Sequence, residues 1–284
     1  MRLGQIDVTK IGVIAGSGDL PLKVVNEASE RGFQPSVLAF DGFTNPRIAQ
    51  ITDNVHWLKL GQLDRAIKLL KQLEINRVVM AGKIDKSNLL RLWRLRPDRR
   101  ALKVIKRMTD WRDDTVLGAI ADELAAEGIT IDSISLWATK LMAAQGVLSK
   151  KTPTQHQMED IYFGREMARA IGALDIGQTV VVKNRAVLVV EAIEGTDKAI
   201  LRAGELNIPN SVVVKMAKPN QDMRFDVPGV GPSTIRSMIT AEAKVLAIEV
   251  GKTMIADPEE TILIADRAKI SVVGIPSSGT ILLS

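Results

Sequence analysis

The sequence predicts an α/β protein with a Rossmann-like N-terminal domain, a smaller mixed α/β C-terminal domain and a linker that joins them. In the first half, short apolar runs alternate with amphipathic stretches of helical length, which is the pattern of βαβ units around a parallel sheet. In the second half, residues 179–182 and 187–190 are β-branched runs that predict a hairpin. The 284 residues, 46% of them hydrophobic, are enough for two packed domains.

The domain boundaries are predicted from a change of composition near the middle of the chain. Residues 146–160 are polar and contain Pro153, which is typical of a linker. This places the N-terminal domain at residues 1–145 and the C-terminal domain at residues 161–284.

The first predicted βαβ unit has a glycine turn after its first strand. Residues 11–15 predict that strand, residues 22–31 an amphipathic helix and residues 36–40 the second strand. Backbone N–H groups in such a turn, together with the start of the helix, suit a phosphate group. The candidate binding residues of the turn are Gly16, Ser17, Gly18 and Asp19.

The same turn matches a dinucleotide fingerprint only in part. Gly16 and Gly18 fit the pattern, but Pro21 stands where the third glycine belongs. Asp41 lies where a ribose-binding acid would be expected. A nicotinamide-dependent oxidoreductase is therefore an alternative function, and a tight turn that binds nothing is an alternative structure.

The rest of the first half continues the α/β pattern and adds two candidate features. Lys83 follows Gly82 at the end of a predicted strand, where ligands of open α/β sheets gather, so it is a candidate phosphate-binding residue. Residues 88–106 are basic and apolar, and they suit a surface helix, an anionic membrane, an acyl chain or nucleic acid. Further strands are predicted at 55–60, 77–81 and 129–134, and further helices at 62–73 and 115–127.

The second half predicts helices and strands around the hairpin. A helix over residues 232–249 is predicted because Ile235, Ile239, Leu246 and Val250 fall on one face. The other predicted helix covers residues 158–171, and the other predicted strands cover residues 211–216, 262–265 and 270–275.

Composition narrows the chemistry that is available. The chain has no cysteine and only two histidines, which excludes thiolate metal sites and nearly excludes a histidine-rich zinc site. A metal would be a hard cation held by oxygen, such as Mg²⁺. A net charge of +5 favours anionic ligands, and a basic protein that binds nucleic acid or a membrane is a further alternative.

The N-terminal residues 1–10 are polar, and no run of about twenty apolar residues is present. These two observations predict a cytoplasmic protein.

Residues 215–236 gather more ionisable groups than any other stretch of predicted loop in the chain. Asp222 and Asp226 are four residues apart, and a magnesium site needs only one or two carboxylates beside water and phosphate oxygens. Cations in the same loop can neutralise a transferring phosphoryl group. The candidate diphosphate ligands are Lys215, Lys218, Gln221 and Arg224. A solvated loop with salt bridges such as Arg224 to Asp222 is the alternative.

A second acidic segment follows the predicted hairpin. Glu191, Glu194 and Asp197 lie within seven residues, where they can supply metal oxygens or hold a lysine. We select Glu191 as a candidate metal ligand, and Thr196 and Asp197 as candidate substrate-binding residues. Alternatively, Thr196 or Asp197 caps the helix that follows.

Four motifs together resemble a known family, the UDP-2,3-diacylglucosamine pyrophosphatases of the LpxI type, from lipid A biosynthesis in Gram-negative bacteria. The motifs are IGVIAGSGDLP at 11–21, VVMAGKI at 78–84, VVEAIEGTD at 189–197 and KMAKPNQDMRFDVPGVG at 215–231. The similarity runs nearly from end to end, and the last two motifs are the specific ones.

The resemblance implies two α/β domains with a lipid-nucleotide between them. It implies magnesium-dependent hydrolysis of UDP-2,3-diacylglucosamine to UMP and 2,3-diacylglucosamine 1-phosphate (lipid X), with water attacking the β-phosphorus. The essential acid of the family's RFD motif corresponds to Asp226, which we assign to catalysis and to the metal, with Asp222 and Glu191 as further ligands. We expect peripheral association with the inner leaflet of the inner membrane and no nucleic-acid partner, and a homodimer is left open.

Overall fold

The computed structural model of the chain describes residues 9–82, 97–108 and 113–281. The chain divides into two compact units, Met1–Ala138 and Thr139–Ser284. The predicted two-domain α/β fold class is confirmed, but the second unit is not the smaller one. Lys83 and residues 88–96 lie outside the described residues.

The predicted linker at 146–160 belongs to the second unit. Gly146–Val147 forms a short edge strand of its sheet, and a helix begins at Gln155. Thr154 caps this helix, because its hydroxyl accepts a hydrogen bond from the Gln157 N–H group at 3.3 Å. The polar residues of this stretch lie between the edge strand and the helix and in the first turn of the helix, where most of them are exposed.

The first unit is built on a five-stranded parallel sheet with the strand order β3-β2-β1-β4-β5. This is the order of a doubly wound Rossmann-like sheet, in which ligands bind at the carboxyl ends of the strands near the reversal between β1 and β4. The strands are β1 (Lys10–Ala15), β2 (Gln34–Phe40), β3 (Val55–Leu58), β4 (Arg77–Ala81) and β5 (Thr130–Asp132). The helices are α1 (Leu20–Glu30), α2 (Leu63–Gln72), α3 (Arg99–Arg107) and α4 (Asp113–Ala125).

The second unit contains a six-stranded mixed sheet with the order β6-β13-β11-β9-β7-β8. Strands β9, β11 and β13 are parallel, and the β7–β8 hairpin is confirmed as an antiparallel pair. The strands of this sheet are β6 (Gly146–Val147), β7 (Thr179–Lys183), β8 (Ala186–Val190), β9 (Val212–Lys215), β11 (Val245–Glu249) and β13 (Ser271–Ile275); β10 (Gly229–Val230) and β12 (Met254–Ile255) pair separately. The helices are α5 (Gln155–Ala173), α6 (Thr196–Gly204), α7 (Pro232–Thr240) and α8 (Pro258–Arg267).

Both faces of this second sheet are covered, which explains its nearly continuous valine runs. Val212 and Val214 belong to the core on the α5 side, whereas Val213 belongs to the core that includes residues of α6, α7 and α8. Helix α5 lies close to β9, because a Cβ atom at Gly164 would be only 2.6 Å from a methyl group of Val214. The central strands of the sheet are therefore fixed between two hydrophobic layers.

Two secondary-structure predictions in this unit are wrong. The helix predicted over residues 232–249 is helix α7 followed by strand β11, with Glu242 in a left-handed turn between them (φ 55°). The spacing of the apolar residues continues the helical period across this turn, although Ile239 itself is exposed. The strand predicted at residues 262–265 lies inside α8, where Thr261 and Ala265 are buried one helical turn apart.

None of the helices in the described ranges has both the length and the hydropathy that crossing a membrane requires.

Candidate active site

Four of the charged residues selected from the sequence, Lys215, Glu191, Asp197 and Asp226, lie around one edge of the second sheet. Strands β8, β9, β11 and β13 all end at this edge, because β8 and β9 are both antiparallel to β7. Strand β7 starts there, and its first residue, Thr179, is paired with Lys215 at the end of β9. We call this the carboxyl-terminal edge. The carboxyl ends of parallel strands are the usual place for ligands in α/β sheets.

Lys215 is the most deeply buried cation at this edge, with 3% of its surface exposed. Its Nζ donates a hydrogen bond to the Thr196 hydroxyl at 2.6 Å. The Thr196 hydroxyl in turn donates to Oε1 of Glu191 at 2.9 Å. Thr196 therefore connects the lysine to the buried carboxylate. The N-cap position of α6 is Gly195, so Thr196 is the first residue of the helix and does not cap it.

The electrostatic environment of Lys215 consists of three carboxylates. Burial lowers the pKa of the Lys215 ammonium group, and the negative charges of Glu191, Asp197 and Asp226 oppose that effect without cancelling it. Asp226 therefore acts electrostatically on Lys215, as do Glu191 and Asp197, which follow β8. The sequence-selected acids 191, 197 and 226 share one environment.

Glu191 is held firmly in this environment. Its side chain is buried, and its backbone N–H donates to the Thr179 carbonyl at 2.9 Å. A Cβ atom at Gly177 would be 2.1 Å from the Glu191 carbonyl oxygen, so only glycine permits this approach. Within the described part of the chain, Oε2 of Glu191 is buried without a hydrogen-bond partner. A buried acceptor left over in this way is available to a ligand.

Asp197 connects helix α6 to the start of helix α7. Its Oδ1 accepts a hydrogen bond from the Thr234 hydroxyl at 2.9 Å. Thr234 is buried in the first turn of α7, and its hydroxyl also accepts from the Gly231 N–H group at 3.4 Å. We call residues 216–231, between β9 and α7, the charged loop. It ends at this helix start, so Asp197 fixes its far end.

The charged loop has its own internal contacts. Arg224 and Asp222 form a two-pronged ion pair, with Nε to Oδ1 at 2.9 Å and Nη2 to Oδ2 at 2.7 Å. This hydrogen bonding by Arg224 lowers the pKa of Asp222. The side-chain amide of Gln221 donates to Oδ2 of Asp226 at 2.5 Å, and Nζ of Lys218 donates to Asp175, also at 2.5 Å.

The fit of these residues to Mg²⁺ can be judged from their geometry. Among the described residues, no group of three or more histidine, cysteine, aspartate or glutamate side chains is close enough to hold a metal alone. Magnesium needs only one or two carboxylates when water and substrate phosphates complete its shell. Glu191, with its unused buried oxygen, fits that requirement, and Asp226 acts electrostatically on the same Lys215. Asp222 fits less well because both of its oxygens bond Arg224.

One buried acid of this edge was missed in the sequence. Glu249 is the last residue of β11 and is 2% exposed, and it accepts a hydrogen bond from the Ala217 N–H group at the base of the charged loop. The helix predicted over residues 232–249 hides this acid, because that prediction does not place Glu249 at the end of a strand. A single acid at the end of a β-branched apolar run is the signal that would have indicated it.

The glycine turn of the first unit lies at the reversal between β1 and β4. The Gly16 N–H group donates to the Ala81 carbonyl at 2.7 Å, and a Cβ atom at Gly82 would be 2.5 Å from the Ser17 carbonyl oxygen. Gly18 has a left-handed conformation (φ +86°). The Asp19 carboxylate accepts a hydrogen bond from Asn45 at 2.8 Å. The turn is therefore tightly packed against the end of β4.

Comparison with known proteins identifies relatives over nearly the whole chain. Family models described as the LpxI N-terminal domain and the LpxI C-terminal domain match residues 10–141 and 144–273. The UDP-2,3-diacylglucosamine pyrophosphatase LpxI of Caulobacter vibrioides is 30% identical over 279 residues, which cover 94% of this chain and 97% of that protein.

Similarity to solved structures is much weaker. The biotin carboxylase domain of a thermophilic 2-oxoglutarate carboxylase aligns with 71% of this chain and 34% of its own, at 13% identity and a TM-score of 0.27. The biotin carboxylase subunit of pyruvate carboxylase aligns with 70% of this chain and 41% of its own, also at 13% identity and 0.27.

Proposed function

The chain belongs to the LpxI family, and from this membership we propose that it hydrolyses the diphosphate bond of UDP-2,3-diacylglucosamine to UMP and 2,3-diacylglucosamine 1-phosphate. The observation that carries the proposal within the structure is the buried Lys215 among Glu191, Asp197 and Asp226. A cation and carboxylates together are what diphosphate hydrolysis requires, since charge must be neutralised while water is activated.

Five residues at this edge and in the loop after β9 have roles in the proposed reaction. The Asp226 carboxylate takes a proton from water as the water oxygen bonds to the β-phosphorus. The bond from that phosphorus to the bridging oxygen breaks, and UMP leaves with the bridging oxygen. Lys215, Lys218 and Arg224 neutralise the diphosphate, and Gln221 orients Asp226 through its 2.5 Å hydrogen bond. In the first unit, the glycine turn at 16–19 is a further candidate for binding phosphate, as its sequence predicts, and Lys83 stays a candidate from the sequence alone.

We further propose that Mg²⁺ assists this reaction, held by Asp226 and Glu191 with water and substrate oxygens. When bound, the ion would lower the pKa of water and neutralise phosphate charge. We expect that treatment with EDTA abolishes UMP release and that added Mg²⁺ restores it. Undiminished UMP release after exhaustive chelation would show that the reaction needs no divalent cation.

The direct test is incubation of the purified protein with UDP-2,3-diacylglucosamine and Mg²⁺, followed by identification of the products. UMP and 2,3-diacylglucosamine 1-phosphate in equal amounts are expected. Water labelled with ¹⁸O should label the lipid product, because attack is at the β-phosphorus. Label in UMP would instead indicate attack at the α-phosphorus, and absence of both products would remove the proposed function.

A surface that suits contact with the anionic inner leaflet lies on helix α3. The helix buries Ala101 and Val104 and exposes a basic face with one leucine, formed by Arg99, Leu102, Lys103, Lys106 and Arg107. Each cation near an anionic membrane contributes about 1 kcal/mol. We propose that this face associates with the membrane where the lipid substrate resides.

We expect the double variant Lys103→Glu/Arg107→Glu to bind phosphatidylglycerol-containing vesicles at least about tenfold more weakly than the unmodified protein, because two attractive charges are reversed. Co-sedimentation measures this, and pure phosphatidylcholine vesicles give the baseline. The charge-matched control is Arg267→Glu/Lys269→Glu, two exposed cations of the second unit. Equal losses in both double variants would indicate a net-charge effect, and no role for α3.

A further inference from the structure

Glu249 joins three loops at the carboxyl-terminal edge of the second sheet. Its Oε2 accepts a hydrogen bond from the Ala217 N–H group, in the loop after β9, at 2.7 Å. Its Oε1 accepts from the Ser277 hydroxyl, in the segment after β13, and forms an ion pair with Lys252, in the loop after β11, at 2.9 Å. One buried carboxylate therefore bonds to the chain that leaves each of the three parallel strands.

We propose that Glu249 is a positioning residue for the charged loop, which carries Asp226. This inference rests on the proposed function. Ala217 is buried and lies two residues after Lys215, where the chain turns away from the sheet. A buried backbone N–H needs an acceptor, and a carboxylate is the strongest one available. The bond from Ala217 to Glu249 thus sets the direction in which the loop toward Asp226 begins.

The charge of Glu249 is balanced locally. The Lys252 ammonium group pairs with it from a half-exposed position. The Ser277 hydroxyl satisfies the same oxygen from the other side. Losing the carboxylate would leave the Ala217 N–H buried without an acceptor, and the base of the loop would move to find water.

A matched control lies at the opposite edge of the same sheet. Asp160 on helix α5 is 3% exposed, and it accepts hydrogen bonds from the N–H groups of Asn184 and Arg185 at 3.1 and 2.6 Å. Those residues form the turn between β7 and β8, at the end of β7 that lies away from Thr179. Asp160 and Glu249 are therefore two buried acids that hold backbone N–H groups, and only Glu249 holds the charged loop.

The experiment compares Glu249→Ala, Glu249→Gln and Asp160→Ala. Thermal unfolding gives the midpoint of each variant, and the kinetics of UMP release are measured at a temperature well below all of these midpoints. Glu249→Ala should lower kcat by about 100-fold, as misplacement of about 1 Å can do. Its KM should change little. Glu249→Gln should recover most of the loss, because its amide oxygen still accepts from Ala217. Asp160→Ala should lose stability and keep kcat.

Hydrogen exchange gives a readout that does not depend on turnover. Amides of residues 217–226 should exchange faster in Glu249→Ala than in the unmodified protein, and Asp160→Ala should leave them unchanged. If Glu249→Ala does not fold, Glu249→Gln should show a smaller increase in the amide exchange rates of residues 217–226. Unchanged exchange there, or equal kcat losses in the alanine variants of Glu249 and Asp160, would overturn the inference. An unmodified protein that releases no UMP would overturn the proposed function alone.

Discussion

Replacing Asp226 with alanine is expected to lower kcat for UMP release by about 10²–10⁴-fold, the range that positioned proton-transfer groups contribute. Binding of UDP-2,3-diacylglucosamine should largely survive, because Lys215 and the other cations remain. A group that acts mainly in the transition state affects turnover more than affinity. Steady-state kinetics, with substrate binding measured separately by calorimetry, check both halves of this expectation.

The matched control for this variant is Glu260→Gln, an exposed acid of helix α8 that pairs with Arg236. It should keep turnover close to that of the unmodified protein. Asp222→Ala is informative beside it, since its ion pair with Arg224 predicts a smaller loss than that of Asp226→Ala. Near-normal turnover in Asp226→Ala would assign water activation to another group.

Replacing Lys215 with methionine is expected to lower kcat/KM by about 10²–10³-fold, the usual cost of losing one preorganised charge-stabilising donor. The variant should also be destabilised, because the nearby carboxylates of Glu191, Asp197 and Asp226 would lose their buried counter-charge. Removing the ammonium group also takes away the hydrogen bond that it donates to the Thr196 hydroxyl, and leaving a buried polar group unsatisfied costs about 1–3 kcal/mol. Denaturant unfolding and kinetics measure the two effects separately. Unchanged kcat/KM would exclude Lys215 from diphosphate binding.

The pH dependence follows from the same lysine. Burial lowers the pKa of Lys215, so its ammonium group loses the proton at a lower pH than an exposed lysine does. We therefore expect kcat/KM, which reports the free enzyme, to fall on the alkaline side as Lys215 deprotonates.

Lys215→Arg identifies the group that is responsible for this fall, because a guanidinium group stays charged over the whole range. This variant should have lower activity and an alkaline limb displaced to higher pH. An alkaline limb that stays in place in Lys215→Arg would belong to another residue.

The order of elements in the first unit was predictable because each strand and helix carries its own period in the sequence. The strand boundaries at 11–15 and 77–81 agree with the structure to within one residue, since buried parallel strands are short continuous apolar runs. Strand β11 was not predictable in the same way. Its apolar run follows helix α7 after only a short turn, so helical periodicity appears to continue through it.

The candidate site was predictable as a set of residue types but not as an arrangement. The acids and lysines of residues 191–197 and 215–226 can be selected from the sequence because they are charged groups in loops that follow predicted strands. The link from Lys215 through Thr196 to Glu191 depends on β7 lying between β8 and β9, and sheet order is a long-range property. Whether Asp222 binds Arg224 or a metal likewise depends on side-chain geometry that spacing does not determine.

Strands β7 and β9 are neighbours in the interior of the second sheet, and the segments that contain them have nearly the same sequence, TVVVK in residues 179–183 and SVVVK in residues 211–215. Such short, β-branched and nearly uncharged segments can also pair with copies of themselves in other molecules. In the folded chain they are sheltered between two hydrophobic layers. During refolding they are exposed together, so the yield of native protein should fall as its concentration rises, through intermolecular strand pairing.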